Sequence, residues 1–271
     1  SRGAVSAHGS STTATTATTA SIPASSSSTG LPYTAVISST NCSDNVGMPS
    51  VSSVSSIFLL NMQGMDPGIK NQRWKLKSLH EDIVSSSLHT PFFILTETHL
   101  KPYHVEGETC VPGYSTFRAD RDKRAQGGVA IFLHHSIPAD TVEVFSNSYC
   151  ELAMVHIASS NILLVGVYRP PQAPFEKFNE CLCVMQGFID RLPGTPELFI
   201  AGDFNLPFVD WPSKSIKSNS SKSASDTSSG LAFLEFMSAN FLAQLVEEPT
   251  RKDLNILDLI LSNNTDLIHG I

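Results

Sequence analysis

No apolar run in the chain approaches the roughly 18 residues that a membrane span needs, and no charged-then-apolar leader opens it. Membrane partners are therefore not expected. Cysteine is scarce and unpatterned. Cys42, Cys110, Cys150, Cys181 and Cys183 are odd in number and none falls in a CxxC pair. Neither a zinc site nor a disulfide framework is indicated, and thiols in a reducing compartment are expected. Basic excess is missing too, with 18 Lys and Arg against 25 Asp and Glu, a net charge of −7. That excludes a protein that simply coats nucleic acid. It leaves open an enzyme that cuts nucleic acid, because a metal-dependent site concentrates carboxylates and the ion supplies the positive charge. The initial residue is Ser1 rather than Met, as in a fragment or processed product.

Charge is almost absent from residues 1–56, where only Arg2 and Asp44 break runs such as STTATTATTA and ASSSST. Such a segment buries too little surface to offset its ordering entropy, so a disordered tail is expected there. A mucin-like stalk would share the composition. Residues 57–271 read as the folded domain. IFLLN ends a short apolar run on Asn61, and a loop with Pro67 and Gly68 follows. WKLKSLHEDIVSSSL has helical spacing, and FFILTETHL is a second buried strand that delivers Glu97 at its end. This strand–helix–strand opening suggests a layered α/β domain.

Arg118, Arg121, Lys123 and Arg124 form the densest basic cluster, ahead of a Gly127-Gly128 turn and the strand VAIFL. They suit either a solvated hairpin loop or contact with a phosphate backbone. CELAMVHIA and NILLVGVYRPP read as a hairpin ending at Tyr168-Arg169, a hydroxyl donor and a fixed cation suited to a phosphate oxygen. FEKFNECLCVMQGFIDRL is an expected amphipathic helix. FIAGDFNLPFVDW then sets Asp203 and Asn205 two residues apart, on the same face of extended backbone. Side by side, a carboxylate and a carboxamide suit an Asx turn or the holding of an attacking water and a phosphate oxygen. PSKSIKSNSSKSASDTSSG is expected as a mobile surface loop closed by Gly230, with a helix after it. In the last strand, ILDLIL, Asp258 sits among apolar neighbours and needs a donor or a metal.

The polar residues at strand exits are Asn61, Glu97, Tyr168, Asp203, Asn205 and Asp258. On one rim of two packed sheets they would form a single cleft. Two or three carboxylates there suit Mg²⁺ or Mn²⁺, and adding amides, Tyr and Arg gives a site for phosphodiester hydrolysis.

With these motifs the chain resembles the endonuclease/exonuclease/phosphatase (DNase I-like) superfamily, and within it the apurinic-type endonuclease domain of non-LTR retrotransposons. The matching stretches are LLN with Asn61, LTETHL with Glu97, GGVAIF, VGVYRPP with Tyr168, AGDFNLPFVDW with Asp203 and Asn205, and PTR…ILDLILSNN with Asp258. The resemblance implies a four-layer α/β/β/α sandwich. It implies Glu97 as principal ligand of a Mg²⁺ or Mn²⁺ ion, with Asn61 ordering the metal and phosphate site. Tyr168 would contact phosphate, Asp203 would position or deprotonate the attacking water, and Asn205 would bind the scissile phosphate. Asp258 resembles the aspartate that orients a catalytic histidine, and Arg169 and Thr250 are expected substrate contacts. Family members nick one strand of target DNA and leave a 3′-hydroxyl that a fused reverse transcriptase extends, so DNA is the expected partner and the nucleus or cytoplasm the expected location. The family ends on a Ser-Asp-His strand that the printed sequence does not reach, and HGI at His269 does not match it. A truncated domain lacking its last strand is expected on that ground. The alternatives are an inactive remnant serving as a binding or structural module, and a phosphatase or phospholipase of the same fold.

Overall fold

The computed structural model describes residues 33–37, 55–70, 72, 74–85, 90–122, 126–218, 222–251 and 255–265. In chain order, strands β1 (Tyr33–Ile37) and β2 (Ser55–Asn61) precede helix α1 (Lys75–Ser85). Then come β3 (Phe92–Thr96), the single turn α2 (Glu106–Thr109), β4 (Tyr114–Ala119), β5 (Val129–His134), β6 (Thr141–Ser146), β7 (Glu151–Ile157) and β8 (Ile162–Tyr168). Helix α3 (Phe175–Arg191) leads to β9 (Glu197–Asp203) and the short pair β10 (Val209–Asp210) and β11 (Ser215–Ile216). Helix α4 (Ala224–Ala239), β12 (Ala243–Gln244) and β13 (Asp258–Ser262) complete the fold. None of the described helices is long and apolar enough to cross a membrane.

Two sheets dominate, a five-stranded one in the order β1-β2-β3-β5-β4 and a six-stranded one in the order β12-β13-β9-β8-β7-β6. In each, one parallel pair (β2 with β3, β8 with β9) sits within otherwise antiparallel neighbours. All five residues of β3 are buried, and the period-two alternation of a strand sends them to two different cores. Phe92 and Ile94 pack between the sheets with Val129, Ile131, Val155, Leu164 and Ile260. Phe93 and Leu95 face the other way, against Leu76 and Ile83 of α1. On its far side the six-stranded sheet is covered by α3 and α4 through Phe178, Met185, Phe233 and Phe236. The order of layers is thus helix, sheet, sheet, helix, the expected four-layer sandwich. Gly166 on β8 lets the sheets approach: a Cβ there would lie 2.8 Å from Val129 Cγ2 and 3.2 Å from Ile94 Cγ2.

Two boundaries differ from the sequence reading. The segment 1–56, expected as tail, contributes β1, which pairs antiparallel with β2 from Tyr33↔Leu59 to Ile37↔Ser55; the rest of 1–54 lies outside the described residues. The Ser-rich stretch after Trp211 is not one long loop. Ser223 caps α4, accepting from the Asp226 N–H while the Asp226 carboxylate accepts from the Ser223 N–H, so the helix starts seven residues before Leu231. Gly230 lies inside that helix, buried against Ile216 and Phe208.

Candidate active site

The strand register collects the predicted residues at one rim. On the six-stranded sheet, Asp258 is opposite Asp203, Asp203 is beside Tyr168, and Tyr168 is opposite Glu151. On the five-stranded sheet, Asn61 ends β2 beside Thr96, and Glu97 follows directly. One side chain spans the two. Asn61 Nδ2 donates to Glu97 Oε1 at 3.1 Å and to Asp203 Oδ2 at 3.3 Å. Its Oδ1 accepts from the Gln63 N–H at 3.1 Å, which fixes the amide orientation.

The loop carrying Glu97 is clamped on both sides. The Gly64 N–H donates to the Glu97 carbonyl and the Met65 N–H to that of Thr98, while the Thr98 and His99 N–H groups donate to Gly128 and Gly127. Gly127 and Gly128 both have positive φ, and a Cβ on Gly128 would collide with Thr98 Oγ1. Among non-glycine residues with positive φ, Gln63, Glu97, His99 and Asn205 all belong to this rim. Backbone strain at several points of one cleft is a mark of a functional site.

The carboxylates lie in contrasting surroundings. Burial alone would raise the Glu97 pKa, but His99, Asn61 and the Arg251 charge together hold it below the usual value. The nearest His99 nitrogen is 3.8 Å from Glu97 Oε2, an ion-pair distance. Asp203, 1% exposed, is held well above the usual carboxylate range by burial first, then by the negative charges of Asp258 and Glu97. Burial likewise pushes Asp258 up to about 6, and its Oδ1 has no hydrogen-bond partner among the described residues. Tyr168 is raised too, by burial and then by Glu97 and Asp203, so its hydroxyl stays a donor at neutral pH.

Three predicted residues hold positions that bear on their expected roles. Asn205 Nδ2 donates to Asp203 Oδ1 at 2.6 Å and to the Arg169 carbonyl at 2.8 Å, so both amide hydrogens are committed and the side chain orients Asp203. Thr250 Oγ1 accepts from the Leu257 and Asp258 N–H groups, pinning the entry to β13. Arg169, expected to contact substrate, does not reach the cleft. It is fully buried, donates to the carbonyls of Phe204, Asn205 and Ala173, and lies 5.0 Å over the Phe178 ring in the helix-side core. Neighbouring strand residues face opposite ways, so Tyr168 on the inter-sheet face sends Arg169 to the other.

The basic cluster is likewise internal where it is described. Arg121, 4% exposed, pairs with both oxygens of Glu151 at 2.6 and 2.9 Å and lies 5.2 Å over the Tyr168 ring. Arg118 pairs with Asp120 and donates to Thr109 and to the His104 carbonyl. Lys123, Arg124 and His269 lie outside the described residues. Arg251 escaped the sequence reading as a site residue, although it directly follows Thr250. Its charge acts on Glu97, Asp203 and Asp258.

Among the described residues no three His, Cys, Asp or Glu side chains converge closely enough to enclose an ion by themselves. The donors present are a partly exposed, ionised Glu97 and the Asn61 amide oxygen. Such a set fits Mg²⁺ or Mn²⁺, which take one or two protein oxygens and complete their shell with water and substrate phosphate. It does not fit a soft metal.

A sequence profile described as endonuclease-reverse transcriptase matches residues 162–269. It spans Tyr168, Asp203, Asn205, Thr250 and Asp258 but neither Asn61 nor Glu97. No curated protein matches the chain. An endonuclease/exonuclease/phosphatase family protein from Bacteroides thetaiotaomicron has a similar structure, with a TM-score of 0.50 at 14% identity over 77% of this chain and 83% of that one. The 3′ phosphatase NExo from Neisseria, bound to a product DNA hairpin, gives 0.50 at 14% over 77% and 86%. The endonuclease domain of TRAS1, a telomere-specific non-LTR retrotransposon, gives 0.49 at 16% over 79% and 88%. At these identities the likeness is one of fold.

Proposed function

We propose that the chain, which shares its fold with an endonuclease/exonuclease/phosphatase family protein and matches an endonuclease-reverse transcriptase profile over residues 162–269, is a divalent-metal-dependent DNA endonuclease domain of a retrotransposon polyprotein. The observation that carries this reading is the Asn61 amide, which joins Glu97 on one sheet to Asp203 on the other. It sets a carboxylate whose pKa is lowered beside one whose pKa is raised. Paired groups with pKa values pushed apart are the arrangement that divides ligand from base.

In this reading Glu97 would hold Mg²⁺ or Mn²⁺, with the Asn61 amide ordering that site through its bond to the Glu97 carboxylate. The ion, when bound, neutralises charge on the scissile phosphate. Asp203 accepts the proton of the attacking water at its carboxylate, which its elevated pKa makes a stronger base than a free aspartate. Asn205 keeps that carboxylate in one orientation through Nδ2. The Tyr168 hydroxyl donates to a phosphate oxygen, and Arg121 on its ring, locked by Glu151, keeps the phenol in place. Asp258, paired across the strands with Asp203, helps keep the Asp203 pKa high. As the water oxygen bonds to phosphorus the P–O3′ bond breaks and the leaving oxygen takes a proton from solvent, so the product is a nick with a 5′-phosphate and a 3′-hydroxyl suited to extension by a reverse transcriptase.

Supercoiled-plasmid nicking tests the reading. Relaxed circles should accumulate with Mg²⁺ and not with EDTA, and Glu97→Ala should stop them. Nicking that persists in EDTA or survives Glu97→Ala would remove the metal and the ligand assignment together.

A further inference from the structure

Most cations near the site are spent on the protein itself. Arg169 is caged by carbonyls, Arg121 is clamped to Glu151, and Lys75 Nζ donates to the carbonyls of Met62 and Gln63. Arg251 differs from all three. It is exposed, and its guanidinium has no hydrogen bond or ion pair among the described residues. Yet its backbone is not loose. The Thr250 and Arg251 N–H groups both donate to the Asn255 carbonyl, at 3.1 and 3.3 Å, and Thr250 Oγ1 ties the same turn to the first residue of β13. The result is a long, permanently charged fork on a pinned turn, at the mouth of a cleft that holds Glu97, Asp203 and Asp258.

We propose that Arg251 is a substrate-binding residue that grips a phosphate of the polynucleotide backbone as the strand enters the cleft, and this rests on the endonuclease reading above. Three carboxylates repel a polyanion, and net charge of −7 gives no long-range attraction. A guanidinium offers paired N–H donors that match two phosphate oxygens, which a carboxylate-lined cleft cannot.

The test is fluorescence anisotropy of a labelled DNA duplex titrated with the full chain in Ca²⁺ buffer across a range of salt, with inorganic phosphate as competitor. Plasmid nicking is followed in parallel. Arg251→Ala should weaken duplex binding about tenfold, as expected for a charge-assisted contact, and reduce the salt slope by about one phosphate contact. Arg251→Lys should recover the slope but only part of the affinity. Lys77→Ala removes the same charge from the outer face of α1, where Lys77 pairs with Glu81, and should change neither. Equal binding and equal slope for Arg251→Ala, in a wild-type chain that binds and nicks DNA, overturns this inference and leaves the endonuclease reading standing. So does loss of phosphate competition without loss of duplex affinity. A wild-type chain that neither binds the duplex nor nicks plasmid removes both.

Discussion

The two sheets bring carboxylates of opposite character to one rim. Glu97, from the five-stranded sheet, is partly exposed, sits at φ 49° and is held below the ordinary pKa by His99, Asn61 and Arg251. Asp203 and Asp258, from the six-stranded sheet, are buried strand residues in direct register and are pushed the other way by burial, Asp203 also by the charges of Asp258 and Glu97 and Asp258 also by that of Glu97. The Asn61 amide touches one from each group. A loop on the clamped exit of a strand tolerates strain and solvent, which suits an ion ligand that must exchange waters. Facing ladder positions cannot, and buried acids there become bases. The contrast implies different failures for the two sides.

The largest effects are on turnover. Glu97→Gln and Asp203→Asn should each lower nicking by about 10³-fold, the scale for loss of a metal ligand or a positioned base. They should part under excess Mn²⁺, which restores some activity to Glu97→Gln by mass action and none to Asp203→Asn. Rescue of Asp203→Asn instead would reverse the division between the sheets.

Next in size is a contrast between two arginines. Arg169→Met leaves the carbonyls of Phe204, Asn205 and Ala173 buried without a donor, and should cost roughly 3 kcal/mol in urea unfolding. Arg251→Ala, at an exposed side chain with no hydrogen bond among the described residues, should cost less than about 0.5 kcal/mol. If both variants unfold alike, Arg169 is not the brace of the loop after β9.

These arginines also mark how far the sequence could be read. Strand ends carrying Asn61, Glu97, Tyr168 and Asp203 were legible because apolar runs end on polar residues there; Asp258 instead opens β13, and Asn205 bonds to Asp203 from left-handed backbone at φ 48° just past β9 rather than from the extended backbone expected. The apolar runs pointed to a layered α/β domain, and the family resemblance to its four layers. Arg169 was misread although its signal was present: it follows Tyr168, and alternation sends adjacent strand residues to opposite faces. The start of α4 was hidden by serine-rich composition, but Ser223 and Asp226 stand at capping-box spacing. No pattern announced β1, whose stretch is short and set in polar sequence; its pairing with β2 is a long-range contact that local sequence does not encode. Left-handed backbone at Glu97 was equally hidden, since glutamate does not favour it.

The pH dependence of stability sharpens the contrast further. Asp258 titrates at about 6 in the folded protein against a usual 3.8, so the folded state holds its proton more tightly. That stabilisation is complete below about pH 4 and is lost as pH rises through 6, beyond which the buried ionised group is a net cost. Glu97 runs in the other sense: its lowered pKa contributes stability at neutral pH that is lost as pH falls through its folded-state value. Asp258→Asn should therefore raise stability at pH 7.5 by roughly 1–3 kcal/mol and flatten the profile between pH 4 and 6. Unfolding midpoints measured across that range check it; a variant that is less stable at pH 7.5 would show that ionised Asp258 has a donor in solution.

The smallest expected effect concerns Thr250, where the sequence suggested a substrate contact and the geometry shows a pin. Its Oγ1 accepts from two N–H groups at the start of β13, at 2.9 and 3.2 Å, and so fixes where Asp258 enters the ladder opposite Asp203. Thr250→Val keeps the shape and removes the acceptor, leaving two donors short of a partner, at a cost of about 1–2 kcal/mol. Thr250→Ser keeps the acceptor and should fall within about 0.5 kcal/mol of wild type. A hydroxyl that acts only as a pin leaves KM for plasmid nicking nearly unchanged in both variants, with any loss appearing in kcat through Asp203. A KM raised tenfold in Thr250→Val with an unaltered unfolding midpoint would make the hydroxyl a substrate contact after all, and would then place Thr250 beside Arg251 as two contacts from one turn.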